Sequence, residues 1–315
     1  MVICGGGMKS SILMMLMACQ HSSAEPQSPP QSLKSSSNQS VSAKTWIRER
    51  WNAARADHQW HPPSPKAQTD IAQAIHKLLL AAPDCHTQTA QQMATHLEVH
   101  GLKIDTFHSD TDKFWFIYEP QKGKGHGAIA IRCGKASDIV LQAPHAIYDQ
   151  WTGAIVRDLF ASHPFRMAMW NTTHRYKANQ GTDKDQADHP ADVAHNRDSV
   201  FHQVSLQLLL NTPLRFAQFH GFAQDSDWEI ILSLGAEDAQ ATQLASRLKP
   251  LSEAVGLYGS TASILGATTN VLAKAVSTEE RGRFVHIELN KALRETLKAD
   301  SAKKQTLAEA LKQPW

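Results

Sequence analysis

From about residue 113 onward, the sequence alternates between short, continuously apolar runs and segments in which apolar residues recur at helical spacing. The apolar runs occupy residues 113–120, 127–134, 138–144, 166–173, 214–221, 228–235 and 283–290. Helical patterns lie between and after them, at 152–163, 199–211, 237–256 and 291–312. Strands that are apolar throughout are typical of a sheet covered by helices on both faces. The pattern therefore predicts a three-layer α/β/α fold around a mixed, largely parallel sheet.

The segment before the first strand has a different pattern. Apolar residues recur at helical spacing in three stretches between residues 45 and 100, and no strand pattern interrupts them. The first two apolar runs, 113–120 and 127–134, are separated by a short connector that contains glycine, which predicts a hairpin. We therefore expect a single α/β domain over residues 45–315, with a helical N-terminal segment at 45–100.

The N-terminal residues predict export. The stretch MKSSILMMLMACQ, residues 8–20, has a lysine followed by an apolar run that is too short to cross a bilayer as a permanent helix. A cysteine after a small residue, Ala18-Cys19, resembles the lipobox of bacterial lipoproteins, in which that cysteine is lipidated. The alternative is a plain secretory signal. We expect a signal peptide at 1–19, lipidation of Cys19, and a periplasmic or cell-surface location through a lipid anchor.

Residues 20–44 are dominated by serine, proline and glutamine, and they contain too little apolar surface to fold. They predict a flexible linker. Cys85 and Cys133 remain beyond the leader, either as a disulfide or as two free buried thiols. The formal net charge of +2 gives no electrostatic reason to expect a nucleic-acid partner.

Several predicted strands end in side chains that suit metal and acid–base chemistry. They are His145 and Asp149 after 138–144, His174 and Arg175 after 166–173, His220 in 214–221, and Glu288 in 283–290. Ligands of open α/β sheets bind at the carboxyl ends of the strands. Two histidines and a carboxylate suffice for a catalytic zinc, a further glutamate can take a proton from water, and an arginine can bind a substrate carboxylate.

The segments LQAPHAIYD, AQFHG and FVHIELNKALR, in this order within residues 138–295, resemble motifs of zinc carboxypeptidases and of amidohydrolases acting on N-acylated glutamates, such as N-formylglutamate amidohydrolase. The segment NTTHR resembles a substrate-binding segment of the amidohydrolases. The resemblance implies a zinc carboxypeptidase-like fold with about one zinc per chain. It implies His145, Asp149 and His220 as metal ligands and Glu288 as the base that activates water.

The ligand set departs from the carboxypeptidase pattern at one position. That pattern is His-x-x-Glu, whereas this sequence has His-x-x-x-Asp, from His145 to Asp149. Asp149 is therefore either a metal ligand or a partner that orients His145. In the second case, His174 or Asp192 takes its place as ligand.

The implied function is hydrolysis of an amide bond in a peptide or N-acyl amino acid that carries a carboxylate. Arg175 is expected to stabilise the oxyanion or to bind the substrate carboxylate, and His174, Asn196 and Arg197 are candidates for further substrate contacts. A metal-dependent esterase would use the same site. The competing class is a surface lipoprotein that binds a ligand or partner on a hydrolase scaffold without catalysis.

Overall fold

A computed structural model describes residues 41–56, 60–120, 124–176, 189–234, 239–276 and 283–315. The predicted signal peptide at 1–19, with its Cys19, and residues 20–40 of the predicted linker lie outside the described residues. None of the helices in the described ranges is both long enough and apolar enough to cross a membrane.

Three helices open the described chain. They are α1 (Ala43–Ala54), α2 (Pro65–Ala81) and α3 (Thr87–Glu98). Helix α1 begins two residues earlier than predicted, because the side chain of Ser42 accepts a hydrogen bond from the backbone N–H of Thr45 and caps the helix. The last two residues of the predicted linker range, 43–44, thus lie in α1. The predicted helical character of this segment is confirmed.

The described residues contain nine strands in one sheet, together with six further helices. The strands are β1 (Lys103–His108), β2 (Lys113–Tyr118), β3 (Ala128–Arg132), β4 (Ile139–Ala143), β5 (Met167–Trp170), β6 (Arg215–Phe222), β7 (Ile230–Ser233), β8 (Val255–Leu257) and β9 (Phe284–Asn290). The helices are α4 (Thr152–Ser162), α5 (Val200–Asn211), α6 (Ala239–Leu248), α7 (Val271–Ala275), α8 (Lys291–Ala299) and α9 (Ser301–Lys312).

The sheet has the strand order β1-β2-β3-β5-β4-β6-β9-β7-β8. Its middle, β5-β4-β6-β9, is parallel throughout. On one side β1, β2 and β3 add antiparallel strands, and β2 pairs with β3 as the predicted hairpin. On the other side β7 pairs antiparallel with β9, and β8 pairs parallel with β7. The mixed sheet is thus confirmed, and its parallel strands form the centre.

Two apolar cores lie on opposite faces of this sheet. Successive residues of a strand point to opposite faces, so Ala217 and Phe219 of β6 belong to one core and Phe216 to the other. Helices α1, α4, α6, α8 and α9 contribute to the first core, and α2, α3, α5 and α7 contribute to the second. Each fully buried phenylalanine contributes about 1.5–3 kcal/mol to the free energy of folding. The predicted three-layer α/β/α fold is confirmed.

Three element predictions were wrong. Strand β1 was missed because only Phe107 is buried in it, as befits an edge strand with little apolar pattern. The helix predicted at 237–256 ends at Leu248, since Pro250 disfavours continuation, and β8 follows within the predicted range. The closing helix is broken at Asp300, whose side chain accepts hydrogen bonds from the N–H groups of Ala302 and Lys303 and so starts α9.

Cys85 and Cys133 are free thiols in neighbouring positions. The carbonyl oxygen of Ala82 accepts hydrogen bonds from the N–H groups of Cys85, at 3.1 Å, and Gly134, at 2.8 Å, which brings the two segments together. Burial, and then the neighbouring Cys85 thiol, raise the pKa of Cys133 well above its ordinary value. Of the two alternatives left by the sequence, the structure has the free thiols.

Candidate metal centre

His145 and Asp149 lie in the turn that follows the central strand β4. The N–H of Asp149 donates to the carbonyl oxygen of His145 at 2.8 Å, so the two side chains are presented from one tight turn. Both are buried, with 1% and 4% of their surface exposed. The N–H of Gly221, on the neighbouring strand β6, donates to Oδ2 of Asp149 at 3.0 Å and fixes that carboxylate against the sheet.

His220 and Glu288 are opposite each other on the adjacent parallel strands β6 and β9. Two residues earlier along the same strands, Gln218 is opposite His286. Because side chains alternate between faces with a period of two, all four point to the same side of the sheet. All four are buried.

Three metal-binding atoms converge between these elements. Nδ1 of His145 lies 3.1 Å from Oδ2 of Asp149 and 3.2 Å from Nδ1 of His220, and the last two atoms are 3.7 Å apart. Adjacent ligands of a tetrahedral zinc are separated by about 3.3–3.6 Å, given metal–ligand distances of about 2.0–2.2 Å. The donor set and its spacing therefore fit a zinc ion held by His145, Asp149 and His220.

The opposite ring nitrogens of the two histidines have polar partners. Nε2 of His145 lies 2.8 Å from Oδ1 of Asp192, and Nε2 of His220 lies 2.9 Å from Oε1 of Gln218. Metal-bound histidines usually donate their second ring N–H to such groups. Asp192 thus has the position of a partner that orients His145, and Asp149 has that of a ligand.

Two further groups bring three metal-binding atoms within 4.8 Å of one another: His145 with Asp192 and His195, and His220 with His286 and Glu288. They fit a catalytic zinc less well. His195 is exposed, and Nδ1 of His286 is buried without a hydrogen-bond partner among the described residues. In the group of His145, Asp149 and His220, the Nε2 atom of each histidine, which points away from the three donors, has a polar partner: Asp192 or Gln218.

Arg175 reaches the same centre from the segment after β5. One of its guanidinium nitrogens, Nη1, lies 3.1 Å from Nδ1 of His145, and Nη2 donates a hydrogen bond to Oδ2 of Asp192. The guanidinium also lies over the ring of Tyr176, 4.7 Å from its centroid. A fixed positive charge therefore stands directly beside the donor atoms.

The electrostatics of the buried charges are strongly coupled. Burial alone would lower the pKa of His145, but the carboxylates of Asp192 and Asp149 raise it to about 9. Burial would raise the pKa of Asp192, but the charge of His145 and hydrogen bonds from His145 and His195 hold that pKa well below its usual range. Burial, and then the charges of His286 and His145, hold the pKa of His220 well below its ordinary value. A metal ion on Nδ1 of His145 requires that nitrogen to carry no proton.

Glu288 is a buried carboxyl group with a perturbed pKa. Burial, and then the neighbouring Asp149 carboxylate, raise its pKa to about 8. Its Oε1 lies 3.7 Å from Nε2 of His286, and its Oε2 has no hydrogen-bond partner in the part of the chain that the structure describes. A buried carboxyl oxygen without a partner is free to exchange a proton with a bound water or substrate.

The structure does not bring every predicted site residue to this centre. His174 belongs to none of the three metal-binding groups; its Nδ1 accepts from the N–H of Tyr176 at 3.2 Å, and its ring packs against Tyr148. Asn196 donates to the carbonyl oxygen of Pro190 and accepts from the N–H of Asp198, which is a local turn role. Arg197 is exposed. Substrate contacts by these three residues stay predictions.

Other residues of the centre were missed from the sequence. His286 packs against His220 with ring centroids 4.2 Å apart and ring planes tilted by 36°, and Gln218 contacts the same imidazole. The signal was present, because both residues precede a predicted site residue by two positions within a strand and so share its face. His195 also reaches the centre, with its Nδ1 2.9 Å from Oδ2 of Asp192.

The fold and this donor set define a three-layer α/β chain with a candidate metal centre at the carboxyl ends of its central parallel strands. No protein-family profile matches the sequence, and neither does any curated protein. Solved structures to which the chain is similar include a bacteriophage poly-gamma-glutamate hydrolase, with 13% identity, a TM-score of 0.40, and coverage of 61% of this chain and 89% of that one.

Two others are an N-formylglutamate amidohydrolase from Ralstonia eutropha JMP134 and a metallo-carboxypeptidase from Burkholderia cenocepacia. The first has 10% identity and a TM-score of 0.37, and the match covers 59% of this chain and 95% of that one. The second has 10% identity and a TM-score of 0.39, and the match covers 60% of each chain. Both belong to the classes of hydrolase that the sequence motifs resemble.

Proposed function

We propose that this protein is a zinc-dependent hydrolase that cleaves an amide bond in a peptide or N-acyl amino acid carrying a carboxylate. The observation that carries the proposal is the convergence of three buried donors, His145, Asp149 and His220, beside Glu288, whose Oε2 has no hydrogen-bond partner among the described residues. When bound, zinc would lower the pKa of a water to about 7 and polarise a carbonyl group.

Glu288 is the candidate general base. It faces the donor set from β9, and its register opposite His220 holds it at the level of the metal ligands. A cation bound by the neighbouring donors favours the ionised form of this carboxyl group, in which Oε2 can accept a proton. Asp149 is not the candidate for this role, because its Oδ2 already contacts His145 and the N–H of Gly221.

Arg175 is the candidate for binding the negative charge of the substrate. Its guanidinium is held by Asp192 and lies beside the donors, so it is positioned before any substrate arrives. A positioned cation can stabilise an oxyanion or bind a carboxylate, and it does so more strongly away from bulk water. The lipobox-like leader supports an extracytoplasmic, lipid-anchored location, where peptides and N-acyl amino acids would be the available substrates.

The test is the metal content of the chain from residue 20 onward, purified without a histidine tag or chelator. We expect about one zinc per chain, lost in His145→Ala and in His220→Ala and retained in the control His108→Ala, which removes an exposed histidine of β1. Absence of metal from a folded protein supplied with zinc would contradict the proposal and favour the non-catalytic binding protein.

The second test separates catalysis from binding. Glu288→Gln should retain the zinc, because Glu288 is not among the proposed ligands, and should lose hydrolysis by about 10²-fold or more. The readout is the release of free amine from a panel of N-acyl amino acids and peptides. Equal hydrolysis by wild type and Glu288→Gln would exclude Glu288 as the base.

A further inference from the structure

We propose that Gln218 is a positioning residue that holds the hydrogen of His220 on Nε2 and so leaves Nδ1 as the atom that binds the metal. This inference rests on the proposed metal site. It concerns a neutral amide that touches neither metal nor substrate and acts through a ligand. The argument depends on the direction of seven hydrogen bonds in a buried polar chain that links helix α5 and helix α7 to the centre.

The hydrogen bonds of this polar chain meet at the side chain of Gln218, which is 1% exposed. Its Oε1 lies 2.9 Å from Nε2 of His220 and 2.5 Å from Nδ2 of Asn270. Its Nε2 lies 2.9 Å from Oε1 of Gln142. An amide oxygen only accepts and an amide nitrogen only donates, so the orientation of Gln218 decides what His220 must do. Two independent anchors settle that orientation.

The first anchor is the N-terminus of helix α7. Oδ1 of Asn270 accepts hydrogen bonds from the backbone N–H groups of Leu272, at 3.0 Å, and Ala273, at 3.2 Å. Those backbone groups can only donate, so the oxygen of Asn270 must face them. The nitrogen of Asn270 then faces Gln218, and the atom of Gln218 that receives its hydrogen must be the oxygen.

The second anchor is helix α5. The hydroxyl of Ser205 donates to the carbonyl oxygen of Phe201 at 2.7 Å, which uses its only hydrogen. Oγ of Ser205 can therefore only accept from Gln142, whose Nε2 lies 2.7 Å away. The oxygen of Gln142 then faces Gln218, which must present its nitrogen there. This anchor and the first one lead to the same orientation.

Both anchors place the oxygen of Gln218 against Nε2 of His220, so that nitrogen carries the hydrogen. Nδ1 of His220 is left with its lone pair, and Nδ1 is the atom that faces Nδ1 of His145 and Oδ2 of Asp149. His145 is held by a carboxylate, Asp192, whereas His220 is held by an amide. The amide fixes the ring without adding a further negative charge to a centre that already contains three carboxylates.

The direct test reads the hydrogen position without any metal. The nitrogen-15 chemical shifts of the His220 ring in the metal-free protein, assigned by comparison with His220→Ala, distinguish hydrogen on Nε2 from hydrogen on Nδ1. We expect hydrogen on Nε2. Hydrogen on Nδ1 would overturn the inference even if the wild-type protein binds zinc, whereas a wild type that binds no zinc would contradict the proposed function alone.

Asn270→Asp is the sharpest variant, because it changes one atom and keeps a good helix cap. Its second carboxylate oxygen would face Oε1 of Gln218 and turn that amide round. Gln142 would turn with it, and the Ser205 hydroxyl would donate to Gln142 instead of to Phe201, so that Nε2 of His220 would have to accept. We expect hydrogen on Nδ1 of His220 and a zinc affinity about 10- to 100-fold lower. An unchanged ring and unchanged zinc affinity in a folded protein would contradict the inference.

The matched pair Gln218→Glu and Gln218→Leu separates positioning from structure. A carboxylate at this position still accepts from His220 and Asn270, and Gln142 turns its nitrogen towards it once the Ser205 hydroxyl donates to Gln142 instead of to Phe201. Leucine fills the space and accepts nothing. Positioning predicts that the Glu variant keeps hydrogen on Nε2 and binds zinc within about threefold of wild type, while the Leu variant loses about tenfold or more. A purely structural role predicts the reverse order, because a buried charge is costlier than an apolar side chain.

Discussion

Replacing Gly221 by alanine should destabilise the protein through a clash with a single buried arginine. A Cβ atom on Gly221 would lie 2.7 Å from Nε of Arg294 and closer still to its Cζ and Nη1, whereas ordinary contact begins at 3.4 Å. Arg294 is only 3% exposed. Its guanidinium donates to the carbonyl oxygens of Gln150 at 2.7 Å, Phe222 at 2.9 Å and Asn290 at 3.3 Å. The group therefore cannot move without loss of hydrogen bonds.

The expected cost follows from these contacts. Displacing the guanidinium weakens one or two hydrogen bonds to a charged donor, each contributing about 1.5–3 kcal/mol, and overpacking a filled site costs about 1–3 kcal/mol. The two costs are not fully additive, since movement of the guanidinium relieves the clash at the expense of its hydrogen bonds. We expect the free energy of unfolding to fall by about 3 kcal/mol, measured by urea denaturation at pH 7.

A double-mutant cycle identifies the cause. Arg294→Ala removes the atoms that the new methyl group would meet, so Gly221→Ala should cost less than about 0.5 kcal/mol in that background. The N–H of Gly221 also donates to Asp149, so zinc affinity should fall with stability in the single variant Gly221→Ala. If Gly221→Ala costs the same with and without Arg294, the steric argument is refuted.

Three further predictions concern charge. Asp158 is buried and accepts from Lys44, Arg157 and Lys304, so Asp158→Asn should lower the free energy of unfolding by about 2–3 kcal/mol in urea; a loss below about 0.5 kcal/mol would contradict this. Burial lowers the pKa of His126 and of His202 to about 4, below the value near 6.5 of the unfolded chain. Stability should therefore fall by roughly 3 kcal/mol or more as the pH falls from about 6.5 to about 4, and a flat urea midpoint over this range would exclude it. Arg175→Ala should raise KM by about tenfold or more for a substrate with a free carboxylate and much less for its amide-blocked analogue; equal effects on both substrates would exclude carboxylate binding.

The strands at the centre of the sheet could be predicted, because the apolar run that marks each strand lies within a few consecutive residues. Strands β4 and β5 are almost wholly apolar, and in β6 and β9 apolar residues flank each of the inner polar ones, since both faces of the sheet are covered. Strand β1 was not predictable in this way, because at the sheet edge only Phe107 is buried and its other residues are exposed or half-buried. The break at Asp300 was equally hidden, because an aspartate inside an amphipathic pattern is common on an exposed helix face.

The candidate site was predictable in part for a related reason. His145, His220 and Glu288 follow or interrupt apolar strands, and polar groups at such positions stand out. Gln218 and His286 share a strand face with His220 and Glu288, but a buried polar residue is usually satisfied by its surroundings, so the shared face alone did not mark them as part of the site. The choice between Asp149 and Asp192 was open because spacing along the chain does not say which carboxylate meets which ring nitrogen.

The sequence by itself determined the kinds of element and the chemistry at the ends of the strands, because periodicity and residue type are properties of near neighbours in the chain. Only the tertiary structure decided the order β4-β6-β9 and the register that sets His220 opposite Glu288. These depend on how two apolar cores pack against opposite faces of the sheet, which is a property of distant segments. The same packing brings Asp192 to one nitrogen of His145 and Asp149 to the other.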